Sequence, residues 1–142
     1  MSTEKEPAIR NIAVGLPIRN GYVLVSDTTD SISGEAFHRA IGGGIDFGET
    51  AEAAIRREFV EELGIPLTDV HLLGVVENIF EYEGKPGHQI AHVFAVHSRE
   101  LDAIPLDAQL HVLDEGSPVG WRRISRIDRP LYPAGAIELL RL

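Results

Sequence analysis

Three carboxylates close together on one helical face, beside a run of glycines, are the residues of this chain best suited to chemistry. They are Glu58, Glu61 and Glu62, and the glycines are Gly42, Gly43, Gly44 and Gly48. At about 100° per residue, Glu61 and Glu62 fall about 60° and 40° to either side of Glu58. Like charges at these spacings repel, and glutamates near a helix C-terminus also oppose the helix dipole. A divalent cation reverses that balance, because hard cations take carboxylate oxygens as ligands. The pattern points to a metal-holding face, set against the plainer reading of a solvated acidic one.

The helix that must carry these groups is legible. Residues 50–63 contain no Gly or Pro and are rich in Ala, Glu and Arg, which are good helix formers. Gly64 stands where a left-handed cap ends a helix, and Pro66 prevents continuation. Ile55, Phe59 and Leu63 form an adjacent apolar stripe that can pack on a core. Glu49, just before the helix, suits the positive end of its dipole. The glycines ahead of it permit a close backbone approach that side chains would forbid.

Gly43, Glu49, Arg57-Glu58-Phe59, Glu61-Glu62 and Gly64-Ile65 stand at the spacing G-x5-E-x7-R-E-U-x-E-E-x-G-U, U being a bulky apolar residue. In this stretch, residues 43–65, the chain resembles the Nudix hydrolases at every fixed position, with Phe59 an aromatic where an aliphatic is usual. His38-Arg39, Glu77-Asn78-Ile79-Phe80, Gly87-His88 and Leu131-Tyr132-Pro133 are similar to a common bacterial branch of that family.

The resemblance implies an α/β fold, an α/β/α sandwich around a mixed sheet. It implies a Mg²⁺-dependent pyrophosphohydrolase, with Mn²⁺ as a substitute, in which water attacks phosphorus in a nucleoside diphosphate linked to another moiety. Glu49, Arg57, Glu58, Glu61 and Glu62 are the catalytic set it implies. Glu58, Glu61, Glu62 and a backbone carbonyl near Gly43 would hold the metal, while Glu49 and Arg57 pair as a brace. The general base is either a glutamate of this stretch or a later acid. Glu77, Glu81 and Glu83 lie at a suitable distance along the chain, on one face by strand alternation. Gln89 stands where the branch usually has Glu, and an amide cannot accept a proton at neutral pH.

For the substrate, Gly44 belongs to the loop against the phosphates, Arg39 and His88 can contact phosphate, and Phe47 and Tyr82 can stack on a base. Tyr82 lies seventeen residues past Ile65, near the offset at which the diadenosine polyphosphate hydrolases of the family carry Tyr. The Pro that marks many ADP-ribose pyrophosphatases is absent from residues 75–85. Oxidised nucleoside triphosphates, diadenosine polyphosphates and ADP-ribose-type compounds stay open as substrates. The competing reading is a non-catalytic, Nudix-like nucleotide sensor. Such modules typically lose one of the carboxylates, and Glu49, Glu58, Glu61 and Glu62 are all present here.

Composition agrees with this class. A chain of 142 residues, 44% hydrophobic and 25% charged, fits a single domain, 1–142, with residues 1–8 as a flexible tail. A net charge of −9 opposes nucleic-acid binding and fits a small anionic nucleotide only if cations neutralise the site. With no cysteine there is neither a disulfide nor a thiolate site. No apolar leader or spanning run is present, so a cytoplasmic protein without membrane contact is expected. A homodimer is the base-rate expectation.

The supporting elements follow from periodicity and turn chemistry. Residues 9–19 and 22–26 read as strands joined by the hairpin dipeptide Asn20-Gly21, and 27–35 as a loop. A strand over 36–41 delivers the chain to the glycines. Residues 70–82 and 89–97 read as long strands joined by a turn over 83–87. Residues 101–116 read as loop, 119–124 as a strand and 134–141 as a closing helix.

Overall fold

Asn20 and Gly21 turn the chain sharply, with φ of 50° and 80°, the pair of positive values that a two-residue type I′ hairpin requires. The turn joins β1 (Arg10–Arg19) to β2 (Tyr22–Thr29). The computed structural model describes residues 7–141, so residues 1–6 of the expected tail lie outside the described residues.

Strand β1 is the axis of the sheet. Along Arg10–Pro17 it pairs in parallel with β6 (Lys85–His97), and Ile12–Gly15 pair antiparallel with β4 (Ile41–Gly44). β5 (Asp69–Tyr82) flanks β6. On the other side β2 pairs with β3 (Ala36–Arg39) and β8 (Pro118–Arg123), and β3 continues to β9 (Leu131–Tyr132). β7 (Leu110–His111) flanks β8. With β1–β6 and β3–β9 parallel and the rest antiparallel, the sheet is mixed.

Alternation along the strands gives two cores. Ala13, Leu24, Phe94 and Val96 face one way, against Ile55 and Phe59 of helix α1 (Ala51–Leu63) and Trp121. Ile12, Val14, Leu16, Val23, Val25 and Val93 face the other way, toward α3 (Ala136–Leu140). Helices on both faces of one mixed sheet make the α/β/α sandwich expected above. No described helix is long and apolar enough to cross a membrane.

Local boundaries differ from the sequence reading where pairing overrides it. The strand expected over 36–41 is two strands, β3 and β4, broken at Ala40 as the chain leaves β2 for β1. The turn expected over 83–87 is only Glu83-Gly84, and β6 begins at Lys85. Pro86 is tolerated there because β1 first meets β6 at Gln89, leaving that end of β6 without a neighbour on its β1 side. The loop expected over 101–116 holds the end of α2 (Arg99–Asp102), capped by Ser98, and β7.

Helix α1 is fastened at three places. The Thr50 side chain accepts from the Ala53 amide at 3.1 Å, and the Gly64 amide, at φ 69°, closes the last turn onto Val60. Phe59 is fully buried, and its ring occupies the space above Gly15 in β1. A Cβ at Gly15 would stand 2.6 Å from that ring. The aromatic at this helix position and the glycine in the strand are thus one packing solution. Gly15→Ala should destabilise by about 1–3 kcal/mol. In chemical denaturation the loss should shrink in the Phe59→Leu background, where the ring is gone; strict additivity of the two changes would contradict the pairing.

Candidate active site

The glycines are required for two different reasons. A Cβ at Gly42 would collide with the backbone of Ala13 and of Val14, its partner across the β1–β4 ladder. A Cβ at Gly43 would lie 2.7–2.9 Å from the carboxylate of Glu58. Gly43 therefore leaves the concave space in which the Glu58 side chain rests against β4.

Arg57 ties the loop after β4 to helix α1. Its Nε and Nη2 donate to Glu49 Oε2 and Oε1 at 2.8 and 2.9 Å, a bidentate fork. Nη2 also donates to the Gly44 carbonyl at 2.9 Å, and Nη1 to Glu58 Oε1 at 2.9 Å and Glu61 Oε2 at 3.2 Å. Glu49 in turn accepts from the Asp46 amide at 3.1 Å. The hydrogen bonds from Arg57, and then that from Asp46, hold the Glu49 carboxyl down at about 2. Its bonds to Glu49, and next Glu58, raise Arg57 above its ordinary value.

The other acids are compensated unequally. Burial raises Glu58, whose side chain is 12% exposed, and the Arg57 bond opposes the rise. Glu62 has no such partner. Its Oε2 is buried without a hydrogen bond, and burial, then the charges of Glu58 and Asp114, push the carboxyl up to about 8. Glu61 is 56% exposed and turned onto Arg57.

A cavity of about 720 Å³ opens here, lined among others by Arg10, Arg39, Gly43, Gly44, Glu58 and Glu62. Tyr82 and Glu81 line it as well. Glu61 and Phe47 do not; the Phe47 side chain is fully exposed on the loop between β4 and α1. His88 is also off the cavity, since alternation in β6 gives that face to Gln89. Of the later acids, Glu77 is exposed and away from the cavity. Glu83 has left the strand at φ 53° and accepts from the Ser31 amide at 2.9 Å, so it does not share a face with Glu77 and Glu81.

The sequence reading missed Asp114 and Glu115. Their charges act on Glu62, and their loop is docked where the Leu113 amide donates to the Glu62 carbonyl at 2.8 Å. Arg39 donates to Glu115 at 3.2 Å. β3 behind Arg39 is fixed by the buried His38, whose Nδ1 lies 2.6 Å from Asp27 Oδ1. Acids some fifty residues past the helix carry no periodic signal that would have found them.

The donor chemistry fits a divalent cation: an orphaned buried carboxylate oxygen on Glu62, a second buried carboxylate on Glu58, and a glycine cradle against the latter. Glu58, Glu62 and the Gly43 carbonyl would hold it. Among the described residues no three His, Cys, Asp or Glu side chains are gathered tightly enough to form a metal group by themselves.

A sequence model of the NUDIX domain matches residues 9–139. The chain belongs to the Nudix hydrolase family. Its structure is similar to a MutT NUDIX hydrolase from Burkholderia pseudomallei at 27% identity and a TM-score of 0.68, covering 97% of this chain and 99% of that one. An ADP compounds hydrolase shares the fold at 18% identity and a TM-score of 0.60, over 95% of this chain and 72% of that one. The oxidized purine nucleoside triphosphate hydrolase of Mus musculus is 31% identical over 77 residues, 52% of this chain and 48% of that protein. The chain thus matches about half the length of this relative.

Two outcomes test the Nudix site. The folded-state value of Glu62, about 8, exceeds its ordinary 4.5, so folding favours the protonated form. This contribution is complete below about 4.5 and is lost as pH rises through about 8. Without metal, thermal stability should fall across that window, and Mg²⁺ should restore more of it at pH 9 than at pH 6. Glu62→Gln should flatten both trends in calorimetry. Arg57→Lys keeps the charge but not the fork, and should lower kcat about 10–100-fold with KM little changed.

Proposed function

We propose that this Nudix hydrolase uses a divalent cation, Mg²⁺ with Mn²⁺ as a substitute, to hydrolyse a nucleoside diphosphate linked to another moiety. The observation that carries this reading is the unpartnered, buried oxygen of Glu62 beside Glu58 in the cavity. A buried carboxylate left so costs stability, and a bound cation removes the cost.

When bound, such a cation supplies positive charge at the phosphoryl oxygens and a more acidic water. The chain's own residues do the rest. Glu58 and Glu62, with the Gly43 carbonyl, hold the cation, and Arg57 keeps Glu58 in place through a bond of 2.9 Å. Glu61 acts through Arg57, which it grips from the exposed side. Arg39 and Arg10 line the cavity as cations for phosphate oxygens. Water attacks phosphorus, the anhydride P–O bond breaks, and the bridging oxygen leaves with the departing phosphate. Glu81, on the cavity wall, is the later carboxylate that can take the proton of the attacking water, while Asp114 and Glu115 act on Glu62 through their charge.

For the substrate, the similarity to an oxidized purine nucleoside triphosphate hydrolase favours nucleoside triphosphates, oxidised ones included. The net charge of −9 supports a small-molecule substrate over a nucleic acid.

The test is phosphate or mononucleotide release from canonical and oxidised nucleoside triphosphates, nucleoside diphosphates, ADP-ribose, diadenosine polyphosphates and nucleotide sugars, with Mg²⁺, Mn²⁺ or chelator. Chelator-sensitive turnover is expected, strongest on triphosphates. Glu58→Gln and Glu62→Gln should each lower it about 100-fold or more while the protein melts cooperatively. A fully active, folded Glu62→Gln would sink the metal assignment. Nucleotide binding without turnover in the unaltered protein would instead make the chain a sensor.

A further inference from the structure

The cavity has a second region, away from Glu58 and Glu62, whose groups the hydrolytic step leaves unused. Phe37, Tyr82 and Tyr132 line it. Phe37 meets the two tyrosine rings edge-on, with centroids 6.0 and 5.1 Å away. This wall is held firmly. The Tyr132 hydroxyl donates to Glu35 Oε1 at 3.1 Å. Asp30, at the start of the loop before β3, accepts from the amides of Ile32, Ser33 and Glu83 at 2.8, 3.1 and 3.1 Å. The loop and the β5–β6 hairpin tip are thereby joined beside the aromatic rings.

One polar side chain of this region is buried. Asn78 is 4% exposed and lines the cavity. Its Cα partner across the β5–β6 ladder is Gln89, which lines the same cavity. Each amide offers both donors and an acceptor and carries no charge. That suits the edge of a neutral heterocycle better than a phosphate, which the arginines serve.

We propose that Asn78, assisted by Gln89, reads the edge of the substrate's nucleobase and determines base preference. The base lies along the Phe37–Tyr82–Tyr132 wall, its polar edge on the Asn78 amide, and its phosphates extend toward Gly43, Glu58 and Glu62. The sheet sets the span. Gly43 on β4 and Asn78 on β5 are separated by β1 and β6 and staggered by three residues along the strands, a span of about 17 Å. An extended nucleotide bridges such a gap from base edge to terminal phosphates. The inference rests on the nucleotide-hydrolase reading above and adds the residue that selects among nucleotides. Hydrogen bonding to a ligand edge discriminates more sharply than pocket size, because the wrong ligand leaves buried groups unpaired.

The experiment measures kcat/KM for the unaltered protein, Asn78→Leu, Asn78→Ser and Gln89→Leu. Substrates are purine and pyrimidine nucleoside triphosphates, their 8-oxopurine forms and inorganic tripolyphosphate, which has no base. The preference of the unaltered protein among bases should shrink at least about 10-fold in Asn78→Leu, mainly through KM. Its advantage for nucleotides over tripolyphosphate should shrink with it. Gln89→Leu should show a smaller change in the same direction. Should Asn78→Leu fail to melt cooperatively, Asn78→Ser and the half-buried Gln89→Leu decide the matter. A uniform fall on every substrate, or unchanged base ratios in folded variants, would overturn the base-reading role and leave the hydrolase reading intact. Equal turnover of nucleotides and tripolyphosphate by the unaltered protein would do the same. No turnover of any nucleotide by the unaltered protein would instead overturn the hydrolase reading, and the base-reading role with it.

Discussion

One guanidinium sets the terms on which the rest of the site exists. Helix α1 brings carboxylates together whose mutual repulsion and burial both oppose ionisation. Arg57 answers part of that. Its fork satisfies Glu49, its third nitrogen reaches Glu58 and Glu61, and its bond to the Gly44 carbonyl fastens the glycine strand to the helix. Because the guanidinium is planar and its donors diverge, it can serve four partners at once, which a lysine cannot. It does not reach Glu62. The result is an asymmetric pair lining one cavity: a braced carboxylate at Glu58 and an unbraced one at Glu62, pushed up to about 8.

The cavity continues the second core. Ile12, Ala91 and Val76 lie in one cross-strand row over β1, β6 and β5, packed toward α3. Two residues farther toward the mouth the same row reads Arg10, Gln89 and Asn78. The pleat that builds the core therefore also aims the polar groups, and only the residue type changes from apolar to polar. On the opposite edge, Gly43 in β4 lets Glu58 of α1 rest against the sheet, although α1 packs on the other face. The sandwich thus places groups from both of its faces around one opening.

What could be read from the sequence was whatever is local. The cap residues, apolar stripe and carboxylate spacing of α1 sit within a single segment, so the helix, its metal-suited face and the fold they imply were all legible. Side chains placed by pairing were not. Phe47 was expected at the substrate, but its direction is set by the turn at Gly48, and it faces solvent. The hairpin after β5 shows how much depends on turn length. With a five-residue turn over 83–87, Tyr82 would pair with His88 and Asn78 would lie opposite His92. With the two-residue turn, Tyr82 pairs with Lys85 and Asn78 with Gln89. Positive φ at Glu83 as well as Gly84 makes the short turn, and glutamate is not a residue from which that conformation would be anticipated. Register then decides that Gln89, not His88, faces the cavity.

The unbraced Glu62 also accounts for the way α1 is anchored. A buried carboxyl without a partner favours any opening of the helix that would hydrate it, the more so as pH rises and the ionised form grows. The helix resists because its attachment lies elsewhere on its surface. Phe59 fills the space over Gly15, Ile55 and Ala54 are fully buried, and both ends are capped. Leu113, donating to the Glu62 carbonyl, ties the backbone at the strained residue itself to the loop carrying Asp114 and Glu115. Apolar packing thus stabilises what electrostatics destabilises, and the two act on separate faces of one helix. A cation arriving at Glu58 and Glu62 would remove the electrostatic penalty without moving the anchor, so cation binding and proton release are linked at a backbone already in place.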